Sequence, residues 1–279
     1  MCKPYKPKGL TISNLNEINK RFVSESEYSQ LPGLRSTELK YLLRSVAHYV
    51  AAKERPMKQT ASMRFGTLFH MAALEPVRFK ESILIKPEFG GKGSVKAKED
   101  FYAANQEKVI VDQEDYDSIM GMLKSLLNHD KAAALLSNGE SEASYFWKDQ
   151  EFGVDCKCRT DFVTSNDLVV DLKSTANASA EEFEKTIVNF GYHVSAAHYL
   201  QGISAATGRD HRRFIMVAVE NEYPYSVQCF DLMDAAVEKG EELRTRAMMK
   251  YKDYVMTNKI TAYSEDINSI GIPTWAYSK

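Results

Sequence analysis

Residues 154–173 limit the fold more than any other part of the chain. Two strand-like runs, 154–164 and 168–173, flank Ser165-Asn166-Asp167, a tight-turn sequence. The second run is strongly apolar, and an antiparallel pair follows from the turn. The rest of the chain is read around this pair. Upstream, Ser36 reads as the N-cap of a helix bearing Leu39, Leu42, Leu43, Val46 and Val50 at helical spacing, with Pro56 as its stop. A short helix carries Phe65-Gly66-Thr67-Leu68-Phe69-His70 and ends before Pro76. Asp112 caps a helix whose apolar face is Ile119, Met122, Leu123, Leu126 and Leu127. Downstream, Ser179 and Glu182 form a capping-box pattern, and a second helix ends at Gly208. Two more strands, 214–219 and 225–230, precede a long helix from Asp234. The pattern predicts mixed α/β around one central sheet.

The 279 residues suffice for a sizeable core, and 44% hydrophobic with 27% charged residues is ordinary for a soluble domain. No run of about 18 apolar residues exists, which excludes a membrane helix. The opening MCKPYKPKGL lacks an apolar segment behind its charges, so no secretory signal is expected. Four cysteines form no disulfide framework, which fits a reducing cytoplasm. Lys plus Arg number 36 and Asp plus Glu 38, a net charge of -2, so the chain is no general polyanion binder. Nucleic acid would have to meet a local basic surface.

With the turn centred on Asn166, Asp161 falls opposite Asp171 in the antiparallel pair, with their Cβ atoms about 5 Å apart. Lys173, two residues on, shares that face. Like charges so close repel, and a divalent cation between them removes the repulsion. Two carboxylates and an amine suit phosphodiester hydrolysis: oxygen ligands hold a hard ion such as Mg2+, which polarises the phosphoryl oxygen and acidifies a bound water. The lysine orients that water or stabilises the transition-state charge. Whether Lys173 also acts as a base stays open. The spacing alone fits equally a solvated cross-strand Asp pair with Lys173 as counter-ion.

GTLFH with His70, then Asp161, then Asp171-Leu172-Lys173, then Tyr199 in a following helix, together resemble the RecB-type branch of the PD-(D/E)XK nuclease superfamily. More closely, LPGLRSTELKYLLRSVAHYV, FGTLFHMAALEPVRF and DLKSTANASAEEFEKTIVNFGYHVSAAHYLQG are similar to the RecE (exonuclease VIII) nuclease domain of phages and prophages. The likeness covers roughly residues 30–235. It implies a restriction-endonuclease-like α/β core, a central mixed sheet flanked by helices. Residues 1–30 would be an N-terminal extension, 31–260 one exonuclease domain and 261–279 a tail. His70, Asp161, Asp171 and the Leu172 carbonyl would be metal ligands. Lys173, Asp161, Asp171 and Tyr199 would be catalytic. The cofactor would be Mg2+, with Mn2+ as a substitute. The implied activity is 5′-strand digestion of linear double-stranded DNA, leaving a 3′ overhang for strand annealing. Its partners would be duplex ends, a RecT-like single-strand annealing protein and further copies in a homo-oligomeric ring, a tetramer or a trimer. The setting would be the cytoplasm of a bacterial host. One departure stands out: Ser195 occupies the glutamine position of the family's Q-x3-Y motif. It keeps open a decayed DNA-end-binding or assembly protein, and the same core also serves endonucleases.

Other features have plainer readings. Glu142 lies near the hairpin, but a solvent-exposed acid at a strand entry accounts for it. PEFGGKGSVKAK, residues 87–98, is either a basic flap over a phosphate backbone or a solvated loop leading to a helix near Val95. Arg209, His211, Arg212 and Arg213 either grip DNA or solvate a turn. Arg244, Arg246, Lys250 and Lys252 read as a solvated helix face. Phe183, Phe190 and Tyr192 read as core. Cys156 and Cys158, with Cys2 and Cys229 remote, match no zinc or iron–sulfur pattern.

Overall fold

A computed structural model describes residues 20–90 and 94–273. The N-terminal half is mostly helical: β1 (Lys20–Arg21), α1 (Glu25–Gln30), α2 (Ser36–Arg44), α3 (Val46–Glu54), α4 (Ala61–Leu74), α5 (Pro76–Ser82), β2 (Ile83–Ile85), α6 (Ser94–Ala104), β3 (Val109–Val111), α7 (Gln113–Asn128) and α8 (Asp130–Leu135). The second half carries the main sheet: β4 (Gly139–Ser141), β5 (Ser144–Lys148), β6 (Asp155–Arg159), β7 (Phe162–Thr164), β8 (Val169–Thr175), α9 (Ala180–Phe190), α10 (Tyr192–Thr207), β9 (Phe214–Glu220), β10 (Val227–Asp231) and α11 (Asp234–Thr257).

Five strands in the order β10-β9-β8-β7-β4 make the central mixed sheet. β8 and β9 run parallel and every other neighbouring pair runs antiparallel. The parallel pair needs a long crossover, which α9 and α10 supply. Strand alternation divides the sheet between two apolar layers. Val169, Met216 and Ala218 face Leu39 and Leu42 of α2, Val194 and Ile203 of α10 and Ala247 of α11. Val170, Leu172, Ile215 and Val217 face Phe69 of α4 and Met122 and Leu126 of α7. Helices therefore cover both faces, which is the mixed α/β architecture expected. No helix among the described residues is long and apolar enough to cross a membrane.

Several expectations are corrected. The single strand over residues 154–164 is two strands, and they join different sheets. β6 pairs with β5 in a three-stranded sheet with β1, whereas β7 pairs with β8. The helix after Ser36 breaks at Ser45, whose extended backbone (φ -169°, ψ 163°) ends α2 and whose hydroxyl accepts from the His48 N–H to cap α3. Arg35, not Ser36, is the N-cap of α2, and its N–H donates to Glu38 Oε2 at 2.8 Å. Asp112 and Ser179 sit at N-caps without a side-chain cap bond, and the Asp112 carboxylate pairs with Lys86 instead. Leu127 is exposed, because α7 buries Ile119, Met122 and Leu126. Residues 20–30 are part of the folded body: β1 pairs with β5, and the buried Lys157 ammonium donates to the carbonyls of Tyr28 and Leu31. Arg244 is no solvated residue. It is buried against Asp149 at 2.8 Å and Glu241 at 2.7 Å.

Candidate active site

The break between β6 and β7 makes the site. β7 and β8 pair for two residues only, Val163 with Val169 and Phe162 with Val170. One register step further brings Asp161 opposite Asp171, as the turn at Asn166 predicts. There the backbones part, and the Leu172 N–H donates to Asp161 Oδ2 at 2.7 Å. Lys173 Nζ lies 2.5 Å from Asp171 Oδ2 and 3.9 Å from Asp161 Oδ2. It also donates to the Leu172 carbonyl at 3.2 Å.

His70 arrives from α4, on the Leu172 side of the sheet, and its Nδ1 stands 3.5 Å from Asp161 Oδ1. The Gly66 of GTLFH explains the close approach of that helix. A Cβ at Gly66 would come within 3.1 Å of Ser174 Oγ on β8. Phe69, fully buried, anchors the same turn of α4 against the sheet and leaves His70 at its edge.

Glu142 completes the cluster, against the expectation of a solvent-exposed acid. Its backbone takes the left-handed conformation (φ 54°) where β4 ends, and its N–H donates to the Asp161 carbonyl at 3.1 Å. A non-glycine residue held there is uncommon and costs backbone energy. Ligand atoms of His70, Glu142 and Asp161 all lie within 4.8 Å of one another. The sequence signal was weak, since only an acid just before a strand marked it. Asp171 stands next to this triad, engaged by Lys173.

The electrostatics of the cluster suit a bound cation. Burial alone would raise the Asp161 pKa, but His70, Lys173 and the Leu172 N–H bring it down to about 2. Burial and the Asp161 charge push Glu142 up to about 7. Asp171 is also raised, by burial first and then by Asp161, despite Lys173. Burial would lower His70, yet the Asp161 carboxylate raises it on balance. Lys173 is raised above its ordinary value: burial opposes this, but the two aspartates outweigh it, and it stays an ammonium at neutral pH. A hard divalent ion would offset the repulsion among three carboxylates and is suited by their oxygens. The donor set thus fits such an ion.

Tyr199 stands apart. Its ring packs edge-on to Phe214 at 6.2 Å, and among the described residues no hydrogen bond joins its hydroxyl to Lys173 or an aspartate. Neither does Ser195 bond to Lys173. The ring over Lys173 belongs to Tyr192, with Nζ 5.3 Å from its centroid. Gln201 is committed elsewhere, to Asp149 and Trp147. Arg209, Arg212 and Arg213 pair with Asp167, Asp210 and Asp231, and His211 is buried, so the basic knot braces a turn. Among the described residues the cysteines are free, with Cys156 and Cys158 buried. Cys2 and residues 91–93 of the glycine-rich loop lie outside the described residues.

Residues 36–272 match the family model described as PDDEXK-like domain of unknown function (DUF3799). The chain belongs to this family. Two solved structures align with this PDDEXK-like chain at low identity. A Eubacterium rectale protein described as a "putative exonuclease" aligns with a TM-score of 0.61 and 10% identity, over 97% of this chain and 99% of its own. A phage-related exonuclease from Haemophilus somnus aligns with a TM-score of 0.37 and 9% identity, over 82% of this chain and 97% of its own. The first likeness shows the fold. No curated protein matches this PDDEXK-like domain in sequence.

Proposed function

We propose that this PDDEXK-like domain is a divalent-metal-dependent deoxyribonuclease, using Mg2+ or in its place Mn2+. One observation carries the reading: His70, Glu142 and Asp161 converge within 4.8 Å, with the Asp171–Lys173 pair beside them, at the point where β7 and β8 separate. His70, Glu142, Asp161 and Asp171 would hold the ion, with the Leu172 carbonyl as a further ligand. Such an ion polarises a phosphoryl oxygen and lowers the pKa of a water it binds. The chain's own groups do the rest. Asp161 is pinned by His70 and the Leu172 N–H, so its oxygens are pre-aimed. Lys173, an ammonium held between two aspartates, would orient a water or offset developing charge on the phosphate.

The finer reading is exonucleolytic: 5′-strand digestion of linear duplex ends to a 3′ overhang, in a homo-oligomeric ring that supplies the tail to a strand-annealing partner. It is supported by the RecE resemblance and the fold. A ring also explains how a chain of net charge -2 stays on DNA. The test is end-labelled linear duplex, with closed circular DNA beside it, in Mg2+ or EDTA. Digestion of linear DNA only, abolished by EDTA and by Asp171→Ala, is expected. Cleavage persisting in either condition counts against the site, and cleavage of circles makes the enzyme an endonuclease.

A further inference from the structure

A second lysine faces the site without an assigned task. Lys40, on α2, lies over the same Tyr192 ring as Lys173, with Nζ 5.6 Å from the centroid. Both ammoniums thus lie against the one Tyr192 ring at the site's edge. Lys40 is half-buried, and among the described residues it has no salt bridge. Asp171 is the carboxylate whose charge it feels, and that carboxylate is already taken by Lys173. Desolvation, and then repulsion from Lys173, hold its pKa down at about 8. By contrast the buried Lys157 is satisfied by two carbonyls, and Lys53 by Glu38. A partly dehydrated cation beside a second cation is unfavourable unless an anion arrives. The ring's cation–π attraction offsets only part of the cost. The Lys40 side chain packs on Gly191 and Tyr192, and the charged or titratable groups that act on it are Lys173, Asp171 and His193.

We infer that Lys40 is a backbone-phosphate site for the bound nucleic acid, Tyr192 bracing it beside Lys173 so that it grips the phosphate next to the one cleaved. This rests on the nuclease reading of the neighbouring cluster and extends it to the substrate path. Lys40 is then a substrate-binding residue, acting on affinity and register rather than on the bond broken.

The test measures binding of the full chain to a short duplex by anisotropy, in Ca2+ to hold back cleavage, over a range of salt. Each phosphate contact contributes about 0.9 to the slope of log K against log salt on duplex DNA. Lys40→Met should lower that slope by about one contact and weaken binding about tenfold at 0.1 M salt. Lys40→Arg should restore most of both. Tyr192→Leu, which removes the brace but no charge, should weaken binding with a smaller change of slope. In Mg2+, Lys40→Met should raise KM more than it lowers kcat. An unchanged slope in a folded Lys40→Met protein overturns the inference, and so does failure of Lys40→Arg to recover it. A wild-type chain that binds DNA without cutting it, yet loses a slope contact in Lys40→Met, retains this site and loses the nuclease reading. A chain that does not bind DNA loses both.

Discussion

Glu142 offers a test in which stability and metal binding should move in opposite directions. Its carboxyl is raised from 4.5 to about 7 by burial and by the Asp161 charge. A raised acid favours the fold fully below its unfolded pKa and loses that contribution as pH rises through its folded one. The window is therefore pH 4.5 to 7, and above it the ionised Glu142 destabilises the metal-free protein. The shift is about 2.5 units, which at about 1.36 kcal/mol per unit gives about 3 kcal/mol, and partial exposure trims it toward 2. Glu142→Gln keeps the size of the side chain and removes the charge. At pH 8 without metal it should raise the urea unfolding free energy by about 2–3 kcal/mol, while near pH 4.5 the two proteins should match. With Mg2+ the order should reverse, because the wild type gains a bound ion and the variant loses a ligand. Calorimetric titration with Mg2+ should show weaker binding by Glu142→Gln, and proton release by the wild type near pH 6.5. A variant no more stable at pH 8 than the wild type, with the same Mg2+ affinity, would refute the account of Glu142 as a strained ligand.

Other consequences concern the frame behind the site. Arg244→Met leaves Asp149 buried without its counter-ion, held only by Gln201 and two backbone N–H groups, which should cost about 3–5 kcal/mol by urea unfolding, with Asp149→Asn in the same chain recovering part of it. A Cβ at Gly240 would sit 2.1 Å from the His193 carbonyl oxygen, so Gly240→Ala should force α11 off α10 and cost about 1–3 kcal/mol or more. His198 is held down to about 3 by burial and then by Arg244. Its contribution is complete above pH 6.5 and falls as pH drops through that value, by about 2 kcal/mol between pH 6.5 and 5. The difference in stability between wild type and His198→Gln should narrow by that amount over the same window, and a constant difference would count against a neutral His198.

The β-hairpin, the crossover helices and the opposition of Asp161 to Asp171 were legible because turn chemistry and two-residue alternation are local. The register of β7 on β8 follows from the turn at Asn166 alone. What local pattern could not supply was the exchange of a strand between sheets at Thr160, since residues on both sides keep strand character and tertiary pairing decides where the break falls. Glu142 was undervalued for the same reason: its approach to Asp161 depends on a left-handed turn that no composition signal marks. Arg244 looked like a surface residue because its partner Asp149 is remote in sequence. His70 carried weight only through its GTLFH context and the family resemblance, since a lone helical histidine has no diagnostic spacing. The same resemblance pointed to Tyr199, whereas packing puts Tyr192 over Lys173.

The most direct test is a crystal of the full chain with Mn2+ and a short blunt duplex, read by anomalous scattering. The account predicts a manganese peak bounded by His70, Glu142, Asp161 and Asp171, with a phosphate oxygen of the DNA reaching the same ion and Lys173 within hydrogen-bonding distance. A peak elsewhere, or a duplex end seated away from this cluster, would contradict it.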